Sequence, residues 1–302
     1  MADGPTDDPS STTGPEVDAV PDPAGASSDP EAAASEFVPD PAAASQVPDT
    51  ATTEPAPTGV TPVDAPPVHV AADIAGAGPA RGLSYAVDIV FCVDVTGSMT
   101  PILDAVKANA LRFYEDVQTN LTDKGKNVDQ LRVRVLAFRD FSADPDSALT
   151  ESGFFPLPEE QVAFSRFVSE LTAEGGGDAP ESGLEALALA INSPWTTRGD
   201  RRRQVIVVWT DQPAHPLNFA VLPPDLAGSV PKNFSALTDL WEDPQGPVGG
   251  STKRLILFAP DGAGWSDISA NWENVVHHPS QAGAGLSDVD YGTIVDSIGN
   301  SV

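Results

Sequence analysis

The chain has 302 residues, and its 44 acidic residues stand against 16 basic ones, giving a formal net charge of −28. Duplex DNA and anionic membrane surfaces would be repelled by such a chain, which argues against either as a partner. A single cysteine, Cys92, excludes an intramolecular disulfide and agrees with a reducing compartment.

Residues 1–80 carry 14 of the acids, 15 of the 30 prolines and no Lys or Arg. Phe37 is the one aromatic before Tyr85. Too little apolar surface is present there to offset ordering entropy, so residues 1–82 are expected to be a disordered acidic tail. Residues 83–302 have the length of one α/β domain. The first residues show no basic and apolar leader pattern, and no apolar run approaches 18 residues. The expectation is a soluble, cytoplasmic protein without membrane insertion.

Segment 84–93 reads as a central strand, apolar from Val87 to Val93 except at Asp88. Apolar residues at three- and four-residue steps predict a helix over 101–121, with Thr100 as N-cap and Pro101 in the first turn. A second strand is expected over 131–139, a short edge strand over 154–157 and a helix over 159–172. The glycine-rich loop 175–181 precedes a helix over 181–192. The most β-prone run, 204–210, follows Arg201-Arg202-Arg203, which read as a solvated turn, and it ends on Asp211. Then come a helix around 233–242, a strand over 254–259, an ambiguous stretch over 264–288 with His277-His278-Pro279 as a loop, and a closing helix over 289–298. Alternating strands and helices imply a doubly wound, mostly parallel sheet with helices on both faces.

Three loops of this pattern carry acids or hydroxyls. Asp94-Val95-Thr96-Gly97-Ser98 follows the first strand, Gly175-Gly176-Gly177-Asp178-Ala179-Pro180-Glu181 precedes a helix, and Thr210-Asp211-Gln212-Pro213-Ala214-His215 follows the most β-prone strand. Hard oxygen donors on strand-end loops suit Mg²⁺ or Mn²⁺, and open α/β sheets bind ligands at that edge.

In order and approximate spacing the three segments resemble the motifs of the von Willebrand factor A (vWA) domain with its metal-ion-dependent adhesion site. The form is that of hemicentin-like and many bacterial members. The resemblance spans roughly residues 84–300. It implies a Rossmann-like sandwich binding one Mg²⁺ or Mn²⁺, with Thr96 and Ser98 as direct ligands and Asp94 and Asp211 acting directly or through water. Asp178 stands where much of the family has a neutral Thr, adding a charge to the site.

The expected function is therefore a non-enzymatic, metal-dependent protein-interaction module that binds a protein partner. A Mg²⁺-dependent phosphohydrolase of the haloacid dehalogenase type is the alternative, but it wants a second Asp where Thr96 stands. The resemblance also permits a non-catalytic subunit beside an AAA+ ATPase or kinase. The chain has no Walker A pattern of its own. His215 is expected to be a packed or solvent-facing loop histidine, Cys92 a buried strand residue without reactivity, and Trp265 and Trp272 core aromatics.

Overall fold

A computed structural model describes residues 84–177 and 179–302. The predicted tail and Asp178 lie outside the described residues. The first strand, β1 (Tyr85–Asp94), is buried along its whole length. Val87, Ile89, Phe91 and Val93 belong to one apolar cluster and Val90 and Cys92 to a second, as alternation across a strand buried on both faces requires. Asp88, which interrupts the apolar run, is fully buried and paired. Arg132 donates Nε to Asp88 Oδ1 at 2.8 Å and Nη2 to Oδ2 at 2.6 Å, and the Thr196 backbone N–H adds a third bond at 2.7 Å.

After a single 3₁₀ turn (Gly97–Met99), the expected helix over 101–121 is two helices, α1 (Thr100–Asn109) and α2 (Phe113–Asp123). The break is local. Ala110 and Arg112 bond three residues back, to Lys107 and Asn109, and the Asn109 amide folds onto Ala105 O at 2.7 Å. Thr100 is not the N-cap; Met99 holds that position, and the Thr100 hydroxyl donates to Gly97 O. Pro101 lies in the first turn as expected.

β2 (Gln130–Phe138) runs parallel to β1. Two short antiparallel strands, β3 (Leu149–Glu151) and β4 (Phe155–Leu157), share its outer edge. The sequence reading found only the second of them. α3 (Gln161–Glu170) and α4 (Gly183–Ile191) follow, and every residue of α4 is buried.

β5 (Arg201–Trp209) pairs with β1 on the side away from β2. Its first three residues are Arg201, Arg202 and Arg203, so the expected solvated turn is instead the strand's start, with Arg201 stacked over the Tyr85 ring at 4.6 Å. α5 (Pro224–Ala227) and α6 (Phe234–Glu242) lead to β6 (Lys253–Pro260). The ambiguous stretch resolves into α7 (Trp265–Asn271) and β7 (Val275–Ser280), and α8 (Tyr291–Ser301) closes the chain. His277-His278-Pro279 is thus part of a strand and not a loop. The sheet edge tolerates Pro279, which has no N–H to donate.

The strand order is β3-β2-β1-β5-β6-β7, with β4 also on β2. α1, α2, α3 and α8 cover one face of the sheet, and α4, α6 and α7 cover the other. From β1 the chain moves outward to β2, and from β5 it moves outward to β6. The order therefore reverses between β1 and β5, and the crevice beyond their carboxyl ends is the switch point where such sheets bind ligands. Among the described residues no helix is long and apolar enough to cross a membrane.

Candidate functional site

Asp94 ends β1, and Asp211 stands two residues beyond β5, whose Trp209 pairs with Val93. Parallel pairing of these two strands brings the first and third motifs together. Both carboxylates are fully buried. Asp94 Oδ1 accepts the Thr96 backbone N–H at 2.9 Å and the Thr96 hydroxyl at 2.6 Å, while Oδ2 accepts the Thr210 hydroxyl at 2.7 Å. Asp211 Oδ1 accepts the Ser98 hydroxyl at 2.9 Å, and Oδ2 accepts the Gly285 N–H at 2.7 Å.

The pattern has a chemical consequence. A hydroxyl that donates its proton to a carboxylate turns its lone pairs outward as acceptors. Thr96 and Ser98 are both held this way, Thr96 buried and Ser98 exposed at the rim. The two acids stand behind the two hydroxyls and orient them. Such a donor set, all hard oxygen, fits Mg²⁺ or Mn²⁺. Burial pushes the Asp94 carboxyl up to about 6; bonds from Thr96 and Thr210 pull it down, and the nearby Asp211 charge pushes it up further. A divalent cation would reverse that balance by favouring the ionised form.

The glycine-rich loop comes to the same edge. Gly97 N–H meets Gly175 O at 3.4 Å, and Glu174 N–H meets Val95 O at 3.0 Å. Arg139, only 6% exposed, fixes the loop from below by donating to Glu174 O, Ser147 O and Thr172 O. Asp144 Oδ2 accepts the Gly176 N–H at 2.6 Å. Gly176 has φ +96°, and a Cβ on it would stand 2.5 Å from Thr96 Cγ2, so both backbone shape and contact require glycine.

Four of the five sequence-predicted site residues (Asp94, Thr96, Ser98 and Asp211) meet here. The sequence reading gave no role to several others that do. Thr210 bonds Asp94. Glu181, 4% exposed, is stapled to the Asp211 loop by Glu181 N–H to Pro213 O at 3.0 Å and His215 N–H to Glu181 O at 2.8 Å. Asp140, 3% exposed, takes bonds from Ser142 and Ser182 and lies 3.5 Å from His215 Nε2. Burial and the charges of Asp94, Asp140, Asp144 and Asp211 push the Glu181 carboxyl up to about 9, and burial lifts Glu185, in the first turn of α4, to about 7. Glu181 belongs to the motif Gly-Gly-Gly-Asp-Ala-Pro-Glu, which was its one available signal. An acid just before a helix otherwise reads as a first-turn residue.

His215 is packed, its ring stacked on Phe219 at 3.8 Å. Cys92 is fully buried, which raises its thiol well above the ordinary range. Trp265 and Trp272 are core residues.

The mostly parallel, doubly wound sheet with helices on both faces is the vWA fold. Residues 88–218 match the family model described as von Willebrand factor A domain. The alpha-protein kinase vwkA of Dictyostelium discoideum is 29% identical over 160 residues, which are 53% of this chain and 24% of the kinase. The chain thus spans about a quarter of that relative's length. Among solved structures, the vWF domain of the type V pili tip protein Mfa5 from Porphyromonas gingivalis is 20% identical at a TM-score of 0.31, covering 46% of this chain and 43% of that one. The PilB minor pilin from Streptococcus sanguinis is 12% identical at a TM-score of 0.43, covering 74% of this chain and 62% of that one.

Proposed function

We propose that this chain is a non-catalytic protein-interaction module whose β1/β5 edge holds Mg²⁺ or Mn²⁺ and grips a partner protein through it. The observation that carries the reading is the paired arrangement of Thr96 on Asp94 and Ser98 on Asp211. Two hydroxyls, each proton-donating to a buried acid, present lone pairs at one strand edge. The same hydrogen bonds are why we assign these hydroxyls to a cation and not to nucleophilic attack. The loop after Asp211 supports a macromolecular partner, because Phe219 and Val221 are 57% and 92% exposed. Phe219 is tied to the site through the His215 ring, so apolar surface lies beside the polar edge. The Dictyostelium relative is named an alpha-protein kinase and this chain matches 24% of it, and we extend the proposal to a place within a larger assembly.

Capture of partners from native lysate tests the reading with wild type in Mg²⁺, wild type in EDTA and Asp94→Ala in Mg²⁺. A partner retained only by wild type in Mg²⁺ is the expected result. Equal capture in all three contradicts it.

A further inference from the structure

Among the described residues, the buried side-chain atoms left without a hydrogen-bond partner are Glu181 Oε2, Glu185 Oε2, Trp209 Nε1 and Ser280 Oγ, and of these Glu181 stands on the glycine-rich loop beside Thr96. Glu181 is 4% exposed, and its Oε2 accepts no hydrogen bond from any described residue. No Lys or Arg among the described residues forms an ion pair with it. Arg139, the buried cation that holds this loop, is committed to three carbonyls. A buried carboxylate left so is costly unless something positive or proton-donating reaches it.

Its position says what that is. A Cβ on Gly176 would meet Glu181 Oε1 at 2.8 Å and Thr96 Cγ2 at 2.5 Å, so the carboxylate and the Thr96 side chain flank the same glycine. The backbone of Glu181 is pinned on both sides to the loop that begins at Asp211. Glu181 therefore faces the hydroxyl–carboxylate pairs from the glycine-rich loop.

We propose that Glu181 is the third carboxylate of the divalent-cation site, holding the ion through a bound water. The proposal rests on the cation reading above and assigns the glycine-rich loop's contribution to Glu181. Mg²⁺ and its analogues keep several waters, so an acid need not touch the ion to bind it. Among the described residues no group of three or more His, Cys, Asp or Glu forms a metal-holding cluster by itself, which accords with hydroxyls and waters sharing the coordination. Carboxylates that hold a ligand or a bound water change metal affinity by about 10- to 100-fold when removed.

Mn²⁺ alone is the probe, titrated into the full chain at neutral pH and read by calorimetry and by the free-ion electron paramagnetic resonance signal. The proteins are wild type, Asp94→Ala, Glu181→Gln and Glu174→Gln, the last an exposed acid of the same loop. The expected result for Glu181→Gln is affinity at least about tenfold weaker, with Glu174→Gln within about threefold of wild type. In EDTA, Glu181→Gln should melt no lower than wild type, because the amide keeps the shape of the carboxyl group and carries no charge; this separates loss of the site from loss of the fold. If Glu181→Gln binds as tightly as wild type while Asp94→Ala does not, the role of Glu181 is overturned and the cation site stands. Wild type that takes up no Mn²⁺ overturns both.

Discussion

Asp94 and Asp211 are buried acids whose oxygens are already engaged, and their value lies in what they orient. Thr210 matters for the same reason, since its hydroxyl fills Asp94 Oδ2 and leaves Oδ1 to fix Thr96. Thr210→Val keeps the shape and removes that bond, so it should cost about 1–3 kcal/mol of stability in EDTA and weaken Mn²⁺ binding. Chemical denaturation and calorimetry measure the two effects. Gly285 is a second such position. Its N–H holds Asp211 Oδ2, its φ is +60°, and a Cβ would fall 2.1 Å from Ser98 O. Gly285→Ala must move the backbone that positions both Asp211 and Ser98. The expected outcome is a loss of about 1–3 kcal/mol together with weaker metal binding, whereas an unchanged melting curve and affinity would show that the loop adapts freely.

The elements that were legible in the sequence are those whose hydrophobic period is strong: β1, β2, β5, β6, α3, α4, α6 and α8 fall within a few residues of expectation. The failures have physical causes. The apolar positions of 101–121 keep one helical face across the break at Ala110–Arg112, so periodicity cannot register it. β7 hides its strand behind His277, His278 and Pro279, because an edge strand needs neither a continuous apolar run nor every N–H. Arg201–Arg203 looked like a turn because a strand start facing solvent can be cationic. In the site, strand-end acids and hydroxyls were legible because their motif order mirrors the sheet. Glu181 was not, since its role depends on a loop folding back onto the Asp211 segment. Asp88 shows how an apparent break in a strand can be structural. With the buried carboxylate removed, Arg132 keeps a part-buried charge with no acid facing it. Asp88→Ala should therefore destabilise by about 3 kcal/mol or more. Urea denaturation checks this, and a loss under about 1 kcal/mol would mean that water solvates Arg132 adequately.

On the scale of the whole molecule, the fold buries several carboxyl groups near the carboxyl ends of its central strands. Asp94, Glu181 and Glu185 all have carboxyls raised above their ordinary values, to about 6, 9 and 7, mainly by burial. An acid raised in the folded state holds its proton more tightly there than in the unfolded chain. Its contribution to stability is complete below the ordinary carboxylate pKa and is lost as pH rises through the folded value. Without metal, these three groups should lower stability between about pH 4.5 and 9, with Glu181 acting over the widest part of that window. A bound divalent cation requires ionised ligands, so its stabilisation should grow with pH over the same range. The two conditions diverge most at the alkaline end.

Thermal melting of the full chain as a function of pH, in EDTA and in excess Mg²⁺, therefore tests the central claim most directly. The melting temperature should fall from pH 5 to 9 in EDTA, and the Mg²⁺-induced rise should be small at pH 5 and large at pH 8.5. Asp94→Ala should abolish the Mg²⁺-induced rise. Superimposable EDTA and Mg²⁺ curves at every pH would contradict the claim that this carboxylate-lined edge is a cation site.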